Sequence, residues 1–210
     1  MTRGGAINTE GQPKGITAAG PSGIIIIVTT SKLSVYTDGK ETGSLAISYN
    51  PTSITFSSVI STVAVGDQDN TIHLYTLSGS TLEASTVLSS NRASITALSF
   101  APNSALLAAG DSSGKIVLYD EKGGVQTTRW GFHTGRIASI AWNEAGTHVV
   151  SGSLDTNVFI YSVANPGKNI KTANAHKDGI NAVAWVDAKT VVSAGADGCV
   201  KVWDVALAQI

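Results

Sequence analysis

The sequence predicts an all-β chain of about five repeated four-stranded sheets, and three observations carry that reading. Aromatic residues recur at Tyr36, Tyr75, Tyr119, Tyr161 and Trp203, which by subtraction lie 39, 44, 42 and 42 residues apart. A second apolar segment keeps the same step, in "ITFS", "ITALSF", "IASIAW" and "INAVAW", with Phe56, Phe100, Trp142 and Trp185 in register. Within a unit the pattern has period two: "KIVLY" and "CVKVW" set Ile116 with Leu118, and Val200 with Val202, on one face, in residue types that suit a pleated surface. No segment shows a sustained helical period with caps, and self-similarity near 42 residues marks a repeat architecture. Four-stranded sheets repeated in this way form a β-propeller.

The units follow in order. Residues 1–13 precede the first strand pattern and are the candidate for a closing strand. Residues 14–48 form a degenerate unit around "IIVTTSKLSVYTD", and residues 49–90 a unit around "VGDQDNTIHLYTL". Residues 91–131 hold "AGDSSGKIVLYDE", residues 132–174 "SGSLDTNVFIYSV", and residues 175–210 "SAGADGCVKVWDV". The turns "SSGK" and "ADGC" centre on Asp, Ser and Gly, which accept the positive φ of tight hairpins. The last unit stops at "WDVALAQI" without an obvious fourth strand.

Composition narrows the function classes. With 42% hydrophobic and 14% charged residues the chain is globular, and all 210 residues read as one domain. A formal net charge of -1 gives no overall field that would hold the phosphates of a nucleic acid or an anionic membrane surface, both of which need clustered Lys and Arg. Cys199 is the only cysteine, so no internal disulfide forms and a reducing, cytoplasmic compartment is expected. The opening "MTRGGAINTEGQPKG" lacks the apolar core of a signal peptide, and "GIIIIV" is far shorter than the roughly 20 residues of a spanning helix.

In the last unit His176, Ser193, Asp197 and Trp203 resemble the structural tetrad of WD-repeat propellers: a histidine before the first strand, a serine on the second, an aspartate in the next turn and a tryptophan on the third. Carboxylate, imidazole, hydroxyl and indole N–H form a chain in which each buried polar group finds a partner. The preceding unit supplies His133, Ser151 and Asp155, with Tyr161 in place of tryptophan. One unit earlier stand Asn91, Ala109, Ser113 and Tyr119, where the brace is expected to be broken.

The same residue types invite a nucleophilic triad, and "GDSSG" superficially resembles a serine-protease loop. Recurrence at the repeat period, a mid-strand serine and no oxyanion-hole motif argue for architecture, so no catalytic residue is assigned. His73, His133, His148 and His176 have no metal-ligand spacing, and no cofactor or metal is expected. His73 reads as an exposed strand position, His148 as part of a hairpin turn and "GDQDN" as a solvated turn.

From "GQPKGIT" onward the chain resembles the C-terminal half of the actin-interacting protein 1 family. The likeness runs through "YNPTSITFS", "VAVGDQDNTIHLYTLSG", "LLAAGDSSGKIVLYD", "WGFHTGRIASIAW", "SGSLDTNVFIYSV" and "NAHKDGINAVAW", including loops that a generic propeller leaves free. It implies two seven-bladed propellers that help cofilin disassemble actin filaments in the cytoplasm, with actin filaments and cofilin as partners. Five units fall short of a seven-bladed ring, so the chain is expected either as a strained five-bladed ring or as an open array whose edges invite self-association. In such propellers the loop before each first strand and the turn between the second and third strands share a rim. Here that rim carries Arg92, Arg136, Lys177 and Asp178, candidates for partner contact. The alternative is a generic WD-repeat scaffold without actin specificity.

Overall fold

A computed structural model describes residues 6–20 and 23–210. Its strands fall into five antiparallel sheets, each ordered as the chain runs. The first sheet holds β1 (Pro13–Ala19), β2 (Ile24–Thr29), β3 (Lys32–Thr37) and β4 (Lys40–Ala46). The second holds β5 (Pro51–Ser57), β6 (Thr62–Asp67), β7 (Ile72–Ser78) and β8 (Thr81–Leu88). The third holds β9 (Ile95–Phe100), β10 (Leu107–Asp111), β11 (Ile116–Tyr119) and β12 (Val125–Trp130). The fourth holds β13 (Ile137–Trp142), β14 (His148–Ser153), β15 (Val158–Ser162) and β16 (Asn169–Thr172). The fifth has three strands, β17 (Ile180–Trp185), β18 (Thr190–Gly195) and β19 (Val200–Asp204), before a short 3-10 turn at Leu207–Gln209. Among the described residues no helix is long and apolar enough to cross a membrane.

The three inner sheets are apolar on both faces because neighbours cover both. Val117 and Tyr119 on β11 pack with Ala64 and Ile72 of the second sheet, while Ile116 and Leu118 pack with Ile137 and Val149 of the fourth. First strands adjoin in succession, β1 to β5, β5 to β9, β9 to β13 and β13 to β17, which gives the radial stacking of a partial β-propeller.

One contact recurs at these junctions. A Cβ added at Gly66, Gly110 or Gly152 would meet Cγ2 of Ile95, Ile137 or Ile180 at 2.3, 2.7 and 2.5 Å, so a glycine on the second strand is the notch that admits the isoleucine opening the next sheet. Strand pairing puts Ala194 at this place in the fifth sheet: it faces Ala182 as Gly152 faces Ser139. A side chain already fills the notch there.

The array is open. Val200 and Val202, the counterparts of Ile116 and Leu118, are 73% and 66% exposed, and Ile16 on β1 is 66% exposed. The strained five-bladed ring is therefore replaced by uncovered outer faces on the first and last sheets. The closing strand expected from residues 1–13 is also corrected. Residues 1–5 lie outside the described residues, residues 6–12 form no strand, and Pro13 begins β1. Lys32 holds Glu10 at 3.2 Å and the Thr30 N–H donates to the Gln12 carbonyl at 3.2 Å, which ties this stretch to the β2–β3 turn.

Candidate functional site

The loops before the first strands and the turns between the second and third strands meet on one rim. The backbone joins them: Ser112 N–H donates to Ser94 O at 2.9 Å, Leu154 N–H to Arg136 O at 3.0 Å and Ala196 N–H to Gly179 O at 2.8 Å.

Beneath this rim the fourth sheet brings His133, Asp155 and Ser151 together. His133 Nδ1 lies 3.0 and 2.9 Å from the two Asp155 oxygens. A carboxylate only accepts, so Nδ1 carries the proton and Nε2 accepts from the Ser151 hydroxyl at 2.8 Å. Backbone N–H groups of Thr134 and Asn157 complete Asp155 at 2.9 and 3.0 Å. Burial holds the His133 imidazole below its ordinary value against the pull of Asp155, which favours the neutral ring. Burial works against the Asp155 carboxylate too, but the Thr134, Asn157 and His133 donors outweigh it and its carboxyl sits below the usual range.

The fifth sheet repeats the relay. His176 Nδ1 donates to Asp197 at 2.8 Å, the Ser193 hydroxyl donates to His176 Nε2 at 2.8 Å, and the Trp203 indole N–H donates to Ser193 Oγ at 2.8 Å. The Lys177 N–H and the His176 ring hold the Asp197 carboxyl down to about 2.

Sheet four departs at the fourth member, which corrects the tetrad read from sequence. Tyr161 is fully buried, but among the described residues its hydroxyl makes no well-aligned hydrogen bond of the kind that Trp203 makes to Ser193. Its ring stacks on Trp130 at 5.1 Å and on Phe159 at 6.0 Å, and the His133 edge meets Phe159 at 4.7 Å. Ring packing fixes Tyr161 where a hydrogen bond fixes Trp203.

Two earlier sheets solve the same problem with other residues. In sheet three Asn91 accepts from the Tyr119 hydroxyl at 2.9 Å, so a shorter link stands where a broken brace was expected. Asp111 beside it is fully buried and accepts from Ser113 N–H, Ser113 Oγ–H and Lys115 N–H. In sheet two Asp67, 2% exposed, is bonded by Thr71 and by His73 Nε2 at 2.8 Å. His73 stacks on Tyr49 at 3.7 Å, and Tyr49 shares a 2.6 Å hydrogen bond with Tyr75. The exposed position expected for His73 and the solvated turn expected at Asp67 are thus corrected: the imidazole covers the carboxylate and is itself covered by a phenol ring. An aspartate and a histidine at the two ends of one hairpin are the signal that could have found this pair. The expected turn position of His148 is likewise corrected, since it opens β14.

Arg92, Arg136, Lys177 and Asp178 are all exposed beside the buried braces. The histidines below them are 5% and 1% exposed, so the rim presents exposed charged side chains on a buried, hydrogen-bonded base.

Comparison with known proteins fits this geometry. The chain is 38% identical over 197 residues to the 66 kDa stress protein of Physarum polycephalum, covering 93% of this chain and 33% of that protein. It is 38% identical to actin-interacting protein 1 of Drosophila melanogaster and 33% identical to that of Caenorhabditis elegans, in each case over 92% of this chain and 32% of the relative. The chain thus spans about a third of the length of these relatives. The WD domain, G-beta repeat model matches residues 82–120, 124–162 and 167–204. Each matched stretch takes the outer strand of one sheet and the first three strands of the next, so the last match ends with β19. Those matches cover more than half of the chain, and on them and the sheets they span it belongs to the WD domain, G-beta repeat family.

Proposed function

We propose that this chain is an actin-binding WD-repeat module that promotes cofilin-dependent disassembly of actin filaments in the cytoplasm, through contacts and without catalysis. The observation that carries this is the 33% and 38% identity to proteins named actin-interacting protein 1 over 92% of this chain, a span too long to omit the rim loops. Exposed Arg92, Arg136 and Lys177 on that rim suit an acidic protein surface and would speed encounter with it. A non-catalytic role is supported by the burial of the two serines bonded to a histidine, Ser151 at 0% and Ser193 at 1% exposure, while the exposed Ser113 of "GDSSG" donates to Asp111 and meets no histidine.

The test is filament cosedimentation with and without cofilin. Filament loss is expected only with cofilin present, and equal loss in its absence contradicts the reading. Reversing Arg92, Arg136 and Lys177 together to glutamate is expected to weaken binding about tenfold, more at low salt than at high. Unchanged binding removes this rim from the proposal.

A further inference from the structure

The rim opposite the histidines carries a feature that the reading above does not use. First strands end there, and between the third, fourth and fifth sheets lies a groove of about 380 Å³ lined by Phe100, Trp142, Trp185 and Val186, with Glu144 and Asp187. The indoles are pinned by their only polar atoms: Trp142 N–H donates to Ser99 O at 2.9 Å and Trp185 N–H to Ala141 O at 3.3 Å, each reaching the preceding sheet. What they offer the groove is ring carbon. Val186 is 62% exposed, so the apolar lining continues onto the open surface.

The groove's two ionisable lining groups are both acidic, and both sit on turns that hold their shape. Asn143, 4% exposed, accepts from Thr147 N–H and His148 N–H at 2.9 Å and braces the turn carrying Glu144. Asp187 accepts from Lys189 N–H at 2.8 Å, a bond that keeps its carboxyl below the usual range and therefore charged. An aromatic floor with carboxylates at its edge matches a guanidinium, which stacks on ring carbon while its N–H fork meets carboxylate oxygens. Apolar residues flanking that guanidinium would cover Val186 and Phe100.

We propose that this groove is a docking site for a partner segment that carries an arginine between apolar residues. Little ordering is needed on this side, because the indoles and both turns are already fixed. The site lies at the far ends of the first strands from Arg92, Arg136 and Lys177, so it is independent of the actin-facing rim.

The test is an NMR titration of the full chain with the peptide acetyl-Leu-Arg-Leu-amide, reading the indole N–H signals after assignment with Trp142→Phe and Trp185→Phe. The Trp142 and Trp185 signals are expected to move, while those of Trp130 and Trp203 stay. A variant with Glu144→Gln and Asp187→Asn keeps the turns, since an amide oxygen still accepts from Lys189 N–H, and is expected to raise Kd about tenfold. The glutamine peptide acetyl-Leu-Gln-Leu-amide is expected to bind correspondingly weakly. No movement of Trp142 and Trp185, equal binding of the glutamine peptide, or an unchanged Kd in the double variant overturns the proposal. Charge reversal on the histidine rim is expected to leave this titration unaltered, so failure here is distinguishable from failure of actin binding.

Discussion

Sheets four and five carry the same three polar residues at the same spacing but complete them differently. Around His133 the well-aligned relay ends at Ser151, and Tyr161 is held by stacking on Trp130 and Phe159. Around His176 the relay continues through Ser193 to the Trp203 N–H. The two sheets also differ in position in the array. Sheet four is enclosed on both faces and has an outer strand, so aromatic packing alone can hold Tyr161 at full burial. Sheet five has neither, and its third strand is anchored by a hydrogen bond while Val200 and Val202 face outward. In sheet four burial holds the ring that a hydrogen bond holds in sheet five, whereas Tyr119 of sheet three, equally enclosed, still donates to Asn91.

The largest effect expected is from His133→Ala, which leaves the buried Asp155 without its imidazole and Ser151 without an acceptor. Urea unfolding is expected to give a loss on the order of 3 kcal/mol. His176→Ala is expected to cost less, because each carboxylate keeps two backbone N–H bonds but sheet five is enclosed on one face only. Equal losses would break the comparison.

Next comes the notch. Gly152→Ala puts a Cβ 2.5 Å from Ile180 Cγ2 and 2.9 Å from Val183 Cγ1, and is expected to cost about 1–3 kcal/mol through overpacking. Ala194→Gly, at the matching place in sheet five, is expected to cost under about 1 kcal/mol, as the greater chain entropy of glycine in a strand.

Acidification sharpens the contrast further. The folded His133 lies below its ordinary 6.5, so the unfolded chain takes up the proton first. The stability linked to His133 is whole above pH 6.5 and is lost as pH falls from there towards the lowered folded value. Thermal melts from pH 7.5 to 5 are expected to show this decline in the wild type and a shallower one in His133→Gln.

Much of this was legible in the sequence. The 42-residue step and period-two alternation exposed the strands because both are local patterns, and His133, Ser151, Asp155, His176, Ser193, Asp197 and Trp203 stood out because the relay reuses the same residue types. The pairing of Asp67, His73 and Tyr49 did not, since other side chains perform the same task and no repeated spelling marks them. The placement of Tyr161 depends on a ring contact with Trp130, 31 residues away by subtraction, which no local pattern encodes. Nor could composition reveal that residues 10–12 lie against the first sheet, because that placement rests on the Glu10 and Gln12 contacts with the β2–β3 turn.

The smallest single change expected is Tyr161→Phe, neutral or slightly stabilising because it removes a buried hydroxyl that makes no well-aligned hydrogen bond among the described residues. Trp203→Phe, which removes a made bond, is expected to cost about 1 kcal/mol. The most direct test couples each aromatic to its serine by double-mutant cycles in urea. With Ser193→Ala and Trp203→Phe the coupling is expected to be about 1 kcal/mol, and with Ser151→Ala and Tyr161→Phe it is expected to fall within about 0.3 kcal/mol of zero. Equal couplings in the two sheets would contradict the account.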